Sequence, residues 1–273
     1  MLSKRTMSRT GKRLATTAFV VALAAATAGC GTSKFTTGSI NRSSGKSVDT
    51  MTSNELQGAA ASLGQSYTRN PNDKAGAMKY AAVLQMNGDA DQSLAVMRKL
   101  AITYPRDRDV LAAYGKALAA NGQLEPALDA VRRAQTPEYP DWKLVSAEGA
   151  ILDQLGQKDD ARQRYRKALE LKPNEPTVLS NLGMSYLLDG DLRTAETYLR
   201  SAAGQPGADS RVRQNLALVV GLQGRFDEAE KIASQELSPD QAQANVAYLR
   251  TMLAQQNAWN QLKKEDKGKT ATN

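Results

Sequence analysis

Few groups in this chain could do chemistry. Among its 273 residues there is no histidine, and Cys30 is the single cysteine. Without histidine, the usual general base, the usual proton shuttle and the commonest metal ligand are missing together. A single cysteine allows no intrachain disulfide and no thiolate metal site. Serines and carboxylates are present, but no base, metal cluster or phosphate-cradling glycine loop accompanies them. We therefore expect no catalytic residues, no metal, no cofactor and no small-molecule substrate: the chain is not an enzyme. What remains is the Cys30 thiol. It follows a basic start (Lys4, Arg5, Arg9, Lys12, Arg13), an uncharged run from Leu14 to Ala28, and the small residues Ala28 and Gly29. That order describes a secretory signal peptide. The run of 15 residues is short of the roughly 20 that a membrane-spanning helix needs. A lone exported cysteine is either a free thiol or a point of covalent attachment.

The ending Thr27-Ala28-Gly29-Cys30 resembles a bacterial lipobox, with Thr27 where that motif prefers leucine. The resemblance implies a signal peptide over 1–29, cleavage before Cys30 and a lipid on its thiol; the plainer alternative is an ordinary signal peptide with an incidental cysteine. Gly31 stands where an aspartate would hold such a lipoprotein at the inner membrane, so the resemblance implies the outer membrane, on its periplasmic face. Residues 30–51 are rich in Ser, Thr and Gly and read as a flexible tether. Twenty such residues reach on the order of 25 Å.

The formal charge of +8 does not indicate a nucleic-acid partner. The five basic residues before Cys30 account for most of it, leaving 31 basic against 28 acidic residues dispersed along the chain. Phosphate-backbone binding needs a concentrated basic footprint.

The elements that organise the rest are set by a period of 34 residues. Gly88, Gly122, Gly156, Gly190 and Gly224 are evenly spaced by it. At a background of about 7% glycine, four further hits from one starting glycine have a probability of roughly 1 in 40,000. Small residues keep the register at Ser93, Ala127, Ala161, Ala195 and Ala229, and at Ala81, Gly115, Gly149, Gly183 and Ala217. A further column runs Leu100, Ala134, Ala168 and Ala202, and Glu236 breaks it. Prolines close units at Pro71, Pro105 and Pro173, with Pro206 one residue early.

These columns resemble the tetratricopeptide repeat, a helix–turn–helix unit of this length. The third unit, LVSAEGAILDQLGQKDDARQRYRKALELKPNEP, carries the resemblance best. It implies an all-α superhelix of five repeats over 74–243, in units 74–107, 108–141, 142–175, 176–209 and 210–243. Gly149 and Ala161 let the two helices of a unit approach, Gly156 permits the turn, Ala168 makes room for the next unit, and Pro173 stops the second helix. Glu148 and Arg213 occupy places the repeat gives to large apolar residues, and the first unit is poor in glycine and alanine; these places are expected to be looser. Residues 52–73 read as an N-terminal helical half-repeat. Ser238-Pro239-Asp240-Gln241 starts a further helix, giving a C-terminal capping helix over 244–262 and a disordered tail over 263–273.

In this architecture the first helix of each unit lines a groove. Its last two units offer Met184, Leu187, Leu188, Leu218 and Leu222, a strip suited to an apolar or amphipathic partner segment; the alternative is that the closing helix hides some of these leucines. Asn181 and Asn215 recur one period apart. In many peptide-binding domains of this family asparagine at that place bonds the ligand backbone, and basic residues such as Arg211 and Lys143 would hold a carboxylate. Asparagine also serves stacking there.

The stretch Val212–Trp259, with its NVAYLRTML…NAW run, is similar to the last repeat and closing helix of TadD-type proteins, the repeat lipoproteins of tight-adherence (Flp) pilus systems. That resemblance implies an outer-membrane lipoprotein whose protein partner is a pilus secretin or another assembly component, in the manner of a pilotin. A general envelope-assembly scaffold, for outer-membrane proteins or cell-wall machinery, would share the same fold and anchor.

Overall fold

The computed structural model describes residue 48 and residues 51–270, with side chains as far as residue 256. The signal peptide, Cys30, nearly all of the tether and the last three residues lie outside the described residues. Within them, α1 (Ser53–Arg69) precedes five helical hairpins. These are α2 (Lys74–Asn87) with α3 (Ala90–Thr103), α4 (Arg108–Ala120) with α5 (Leu124–Ala134), α6 (Trp142–Gln154) with α7 (Lys158–Leu171), α8 (Pro176–Leu188) with α9 (Leu192–Ala203), and α10 (Ser210–Leu222) with α11 (Phe226–Ala233). A long helix, α12 (Pro239–Thr270), follows. Among the described residues there is no strand, only an isolated bridge between Thr136 and Tyr139. No described helix is long and apolar enough to cross a membrane.

The turn inside each hairpin needs a backbone that L side chains avoid. Gly156 sits at φ 77°, in the left-handed region, and ends α6 with its N–H donating to the Asp153 carbonyl at 3.0 Å. The close approach behind that turn is equally specific. A Cβ on Gly149 would lie 2.8 Å from Cε1 of Tyr165 and 3.1 Å from the Ala161 carbonyl oxygen. Three of the first helices begin on an aspartate cap: Asp107, Asp141 and Asp209 accept from the backbone N–H of Val110, Lys143 and Val212. In α5 the last turn is missing. The helix ends at Ala134 because Pro137 disfavours helical backbone before it, and a longer linker, 135–141, makes up the period.

Packing is between neighbours. Each second helix meets the first helix of the next unit, α1 lies on α2, and α12 lies on α10 and α11. First helices also touch in succession: α2 with α4, α4 with α6, α6 with α8, and α8 with α10. The core follows suit as a string of local clusters. Leu84, Leu100, Val110, Leu118 and Val131 fill the first hairpins, Leu152, Tyr165 and Leu182 the middle, and Leu199, Leu216, Val220 and Val246 the last.

Three expectations need correction. The first unit is not loose, because Met97 and Leu100 fill the space that small residues leave elsewhere, and Ser93 Oγ donates to the Ala81 carbonyl at 2.8 Å. Glu148 and Arg213 do not loosen their surroundings either. Glu148 is buried between two arginines, and Arg213 pairs with Glu236, so two departures from the repeat pattern neutralise each other. At the end of the chain, α12 opens on reciprocal bonds between Ser238 and Gln241, at 3.2 and 3.3 Å. It then runs to Thr270 rather than stopping at 262. Leu262-Lys263-Lys264-Glu265 are good helix formers, and no proline follows them.

Candidate protein-binding face

The face built by successive first helices carries the residues expected to bind a partner, and its polar members are engaged with one another. Asn181 of α8 donates through Nδ2 to Ser146 Oγ of α6 at 3.3 Å, and Asn215 of α10 repeats the bond to Ser180 Oγ of α8 at 3.1 Å. Asp153 of α6 accepts from Ser185 Oγ at 2.8 Å and from Tyr165 OH at 3.0 Å. These bonds tie α6 to α8 and α8 to α10, and each asparagine keeps its amide oxygen and one Nδ2–H beyond the bond to serine. Burial raises the Asp153 carboxyl above its ordinary value, against the two hydroxyl donors that lower it. Burial also pushes the Tyr165 hydroxyl well up, helped by the neighbouring Asp153 charge.

The apolar members divide by exposure. Met184 and Leu187 are half-buried against the cluster of Leu216, Val219, Val220 and Val246. Leu218 and Leu222 on α10 are half-buried as well, and Leu188 is 42% exposed. The closing helix covers the adjoining stretch of α10: Leu249 reaches Gly221, where an added Cβ would meet its Cδ1 at 3.0 Å. The face therefore offers Leu188 and the edges of Met184, Leu187, Leu218 and Leu222, backed by packed core. Arg211 is drawn to Asp209, with Nη2 to Oδ2 at 2.9 Å, and the Lys143 ammonium lies 5.7 Å from the Trp142 ring.

Sequence reasoning missed the polar ties between units. Arg162 of α7 is buried, lies 4.3 Å over the Tyr186 ring, and donates to Asp189 at 2.9 Å. Lys158 donates to the same carboxylate at 2.8 Å, and the Lys158 and Arg162 bonds hold Asp189 down at about 2. Ser185 had a legible signal, since the other units carry Val83, Ala117, Ile151 and Val219 at that place. The cap column of Asp73, Asp107, Asp141 and Asp209, with Glu175 between, was legible too. Among the described residues no group of three or more Cys, Asp and Glu could hold a metal ion. The face has hydrogen-bonding and apolar contacts to give.

Residues 83–141 match a family model described as tetratricopeptide repeat, and residues 149–190 match one described as TPR repeat. No curated protein matches the chain in sequence. Among solved structures, a chain of the APC/C hetero-tetramer Cut9–Hcn1 superposes with a TM-score of 0.58 at 15% identity, covering 74% of this chain and 41% of that one. The matched part thus spans less than half the length of that relative. PilW, described as a widely conserved type IV pilus biogenesis factor, gives 0.57 at 19% identity over 73% of this chain and 91% of its own. A thermophilic tetratricopeptide-repeat protein of Thermus thermophilus gives 0.54 at 23% identity over 61% and 91%. The chain has the tetratricopeptide-repeat fold.

Proposed function

We propose that this scaffold is lipid-anchored through Cys30 at the outer membrane and serves a tight-adherence (Flp) pilus system as a pilotin-like factor. Its partner is a pilus secretin or a neighbouring assembly component. The observation that carries the reading is the similarity of Val212–Trp259 to the last repeat and closing helix of TadD-type lipoproteins, joined to a signal-like start that ends on the chain's single cysteine. PilW, at 19% identity, lends its fold to the comparison, and its description as a pilus biogenesis factor is in keeping with the reading.

The mechanism is one of holding a partner near the bilayer. Two or more acyl chains give stable anchoring where one gives only marginal binding. Tethering raises the effective concentration of the face around Asn181, Met184, Leu187, Leu188, Arg211, Asn215, Leu218 and Leu222, so a modest intrinsic affinity suffices. An apolar or amphipathic secretin segment lies along α8 and α10, with its backbone N–H groups donating to the amide oxygens of Asn181 and Asn215.

The test is the amount of heat-stable secretin multimer in outer membranes of cells with the protein, without it, and with Cys30→Ser. Loss of multimers in the deletion, copied in part or whole by Cys30→Ser, is the expected result. Unchanged multimers in the deletion would remove the pilotin role and favour a general envelope-assembly scaffold.

A further inference from the structure

A second surface, away from that face, gathers three arginines where the α3–α4 linker meets the end of α5. Pro105, Arg106, Arg108, Leu111, Arg133 and Thr136 line an open notch of about 560 Å³. Its frame is braced. Arg108 donates through Nε to the Ala134 carbonyl and through Nη2 to the Tyr139 carbonyl, both at 2.9 Å, and its guanidinium lies 5.8 Å from the Tyr139 ring. Arg133 Nη2 donates to the Pro105 carbonyl at 3.1 Å, while its Nη1 makes only an exposed 3.5 Å pair with Asp129.

Two groups are left over. Arg106 makes no hydrogen bond or ion pair among the described residues. The Thr136 hydroxyl oxygen is buried without a partner. A buried polar atom that no protein group satisfies needs an explanation, and one beside three guanidinium groups is suited to donate to an anionic acceptor. Glu138 is exposed on the same linker, and Asp129 is mostly committed to solvent, so positive charge prevails at the notch. The linker also turns the Tyr139 ring outward, 70% exposed, beside the arginine that holds it.

We propose that this notch docks an acidic side chain of a partner protein. Arg106 and Arg133 take the carboxylate, Thr136 donates its hydroxyl, and the neighbouring residue of the partner lies on Tyr139. The exposed ring is what favours a protein segment over a free anion, since aromatic side chains and arginines together make the contacts that anchor protein interfaces. The site is independent of the α8–α10 face, so either can fail alone.

The test titrates the full chain into a blocked, fluorescently labelled peptide carrying glutamates around a single leucine, and into its glutamine counterpart, with anisotropy as readout. The acidic peptide is expected to saturate, and the glutamine peptide to bind at least about tenfold more weakly. Arg106→Gln removes a side chain with no bond in the fold, so it leaves the circular dichroism unchanged and also costs about tenfold. Tyr139→Ser costs about threefold, on the order of 0.6 kcal/mol, and Arg193→Gln on α9 costs nothing. Equal affinity for Arg106→Gln, or no saturation of the acidic peptide, would overturn the proposal. Displacement of the peptide by equimolar inorganic phosphate would overturn it as well, by making the notch a site for free anions.

Discussion

Glu148 and Glu196 are built from the same parts and do opposite things with them. Glu148, on α6, accepts from Arg132 Nε at 2.9 Å and Gln135 Nε2 at 3.0 Å, and forms an ion pair with Arg164 Nε at 3.3 Å. Glu196, on α9, accepts from Arg200 Nε at 2.7 Å, Gln223 Nε2 at 2.8 Å and Arg225. Each is one carboxylate, two arginines and one glutamine amide, and each ties one hairpin to the next. The Glu148 side chain is 3% exposed and the Glu196 side chain 15%. Glu148 stands in a column where its neighbours are Tyr80, Tyr114, Leu182 and Leu216, so its surroundings are shaped for an apolar residue. Glu196 stands in the second turn of a second helix and keeps somewhat more exposure. The recipe is shared, and burial decides whether it acts as a core element or as a surface clasp.

The largest separation between them should come from Glu148→Ala. It opens a cavity and strands two arginines, though both are about half exposed and partly rehydrated. A loss of about 2–3 kcal/mol is expected from urea unfolding. Restoring the column with Glu148→Leu should recover most of that loss, because apolar replacement of a buried ion pair is often neutral or stabilising. Failure of Glu148→Leu to recover would show that the arginines, more than the packing, hold α5 to α6.

Glu196→Ala should cost less, about 1 kcal/mol, because its side chain keeps more exposure and Arg200 and Arg225 rehydrate. Its pH behaviour sharpens the contrast. The Arg225, Gln223 and Arg200 bonds outweigh burial and hold Glu196 at about 2, below its ordinary value. A depressed folded value means that its contribution is fully present above the unfolded value of about 4.3 and is lost as pH falls toward 2. Thermal melts between pH 5 and 2.5 should therefore separate the wild type from Glu196→Gln at the upper end and bring them together at the lower. Curves that stay parallel would mean the clasp adds nothing to folding.

The smallest effect is expected from the pair Arg213 and Glu236. Both side chains keep some exposure, and a double-mutant cycle to alanine should return a coupling below about 1 kcal/mol. A coupling as large as that of Glu148 with Arg132 would erase the distinction between core and surface.

The hairpin array was legible because its constraints recur. Gly156 must reach positive φ and Gly149 must clear Tyr165, and the same demands return in other units, so the columns announce them. The polar ties were not legible in the same way. Arg132 finds Glu148 at 16 residues, Arg162 finds Asp189 at 27, and Arg225 finds Glu196 at 29, separations that fall on no shared period. Each was solved locally, at one joint, and a pattern search sums over joints. Of the expected face, Met184, Leu187, Leu218 and Leu222 stand on successive first helices, while the asparagines read as ligand contacts each spend one N–H on a serine of the unit before. The notch by Thr136 left only a weak trace, a proline-shortened α5 within an unbroken period.

Because packing is between neighbours, the array behaves under load as springs in series. A pull between α1 and α12 passes through every joint in turn, since among the described residues the extensive helix contacts join only neighbouring units. Extension therefore begins at the weakest interface and lengthens the protein by one hairpin at a time, so the body can release length while its remaining units stay folded.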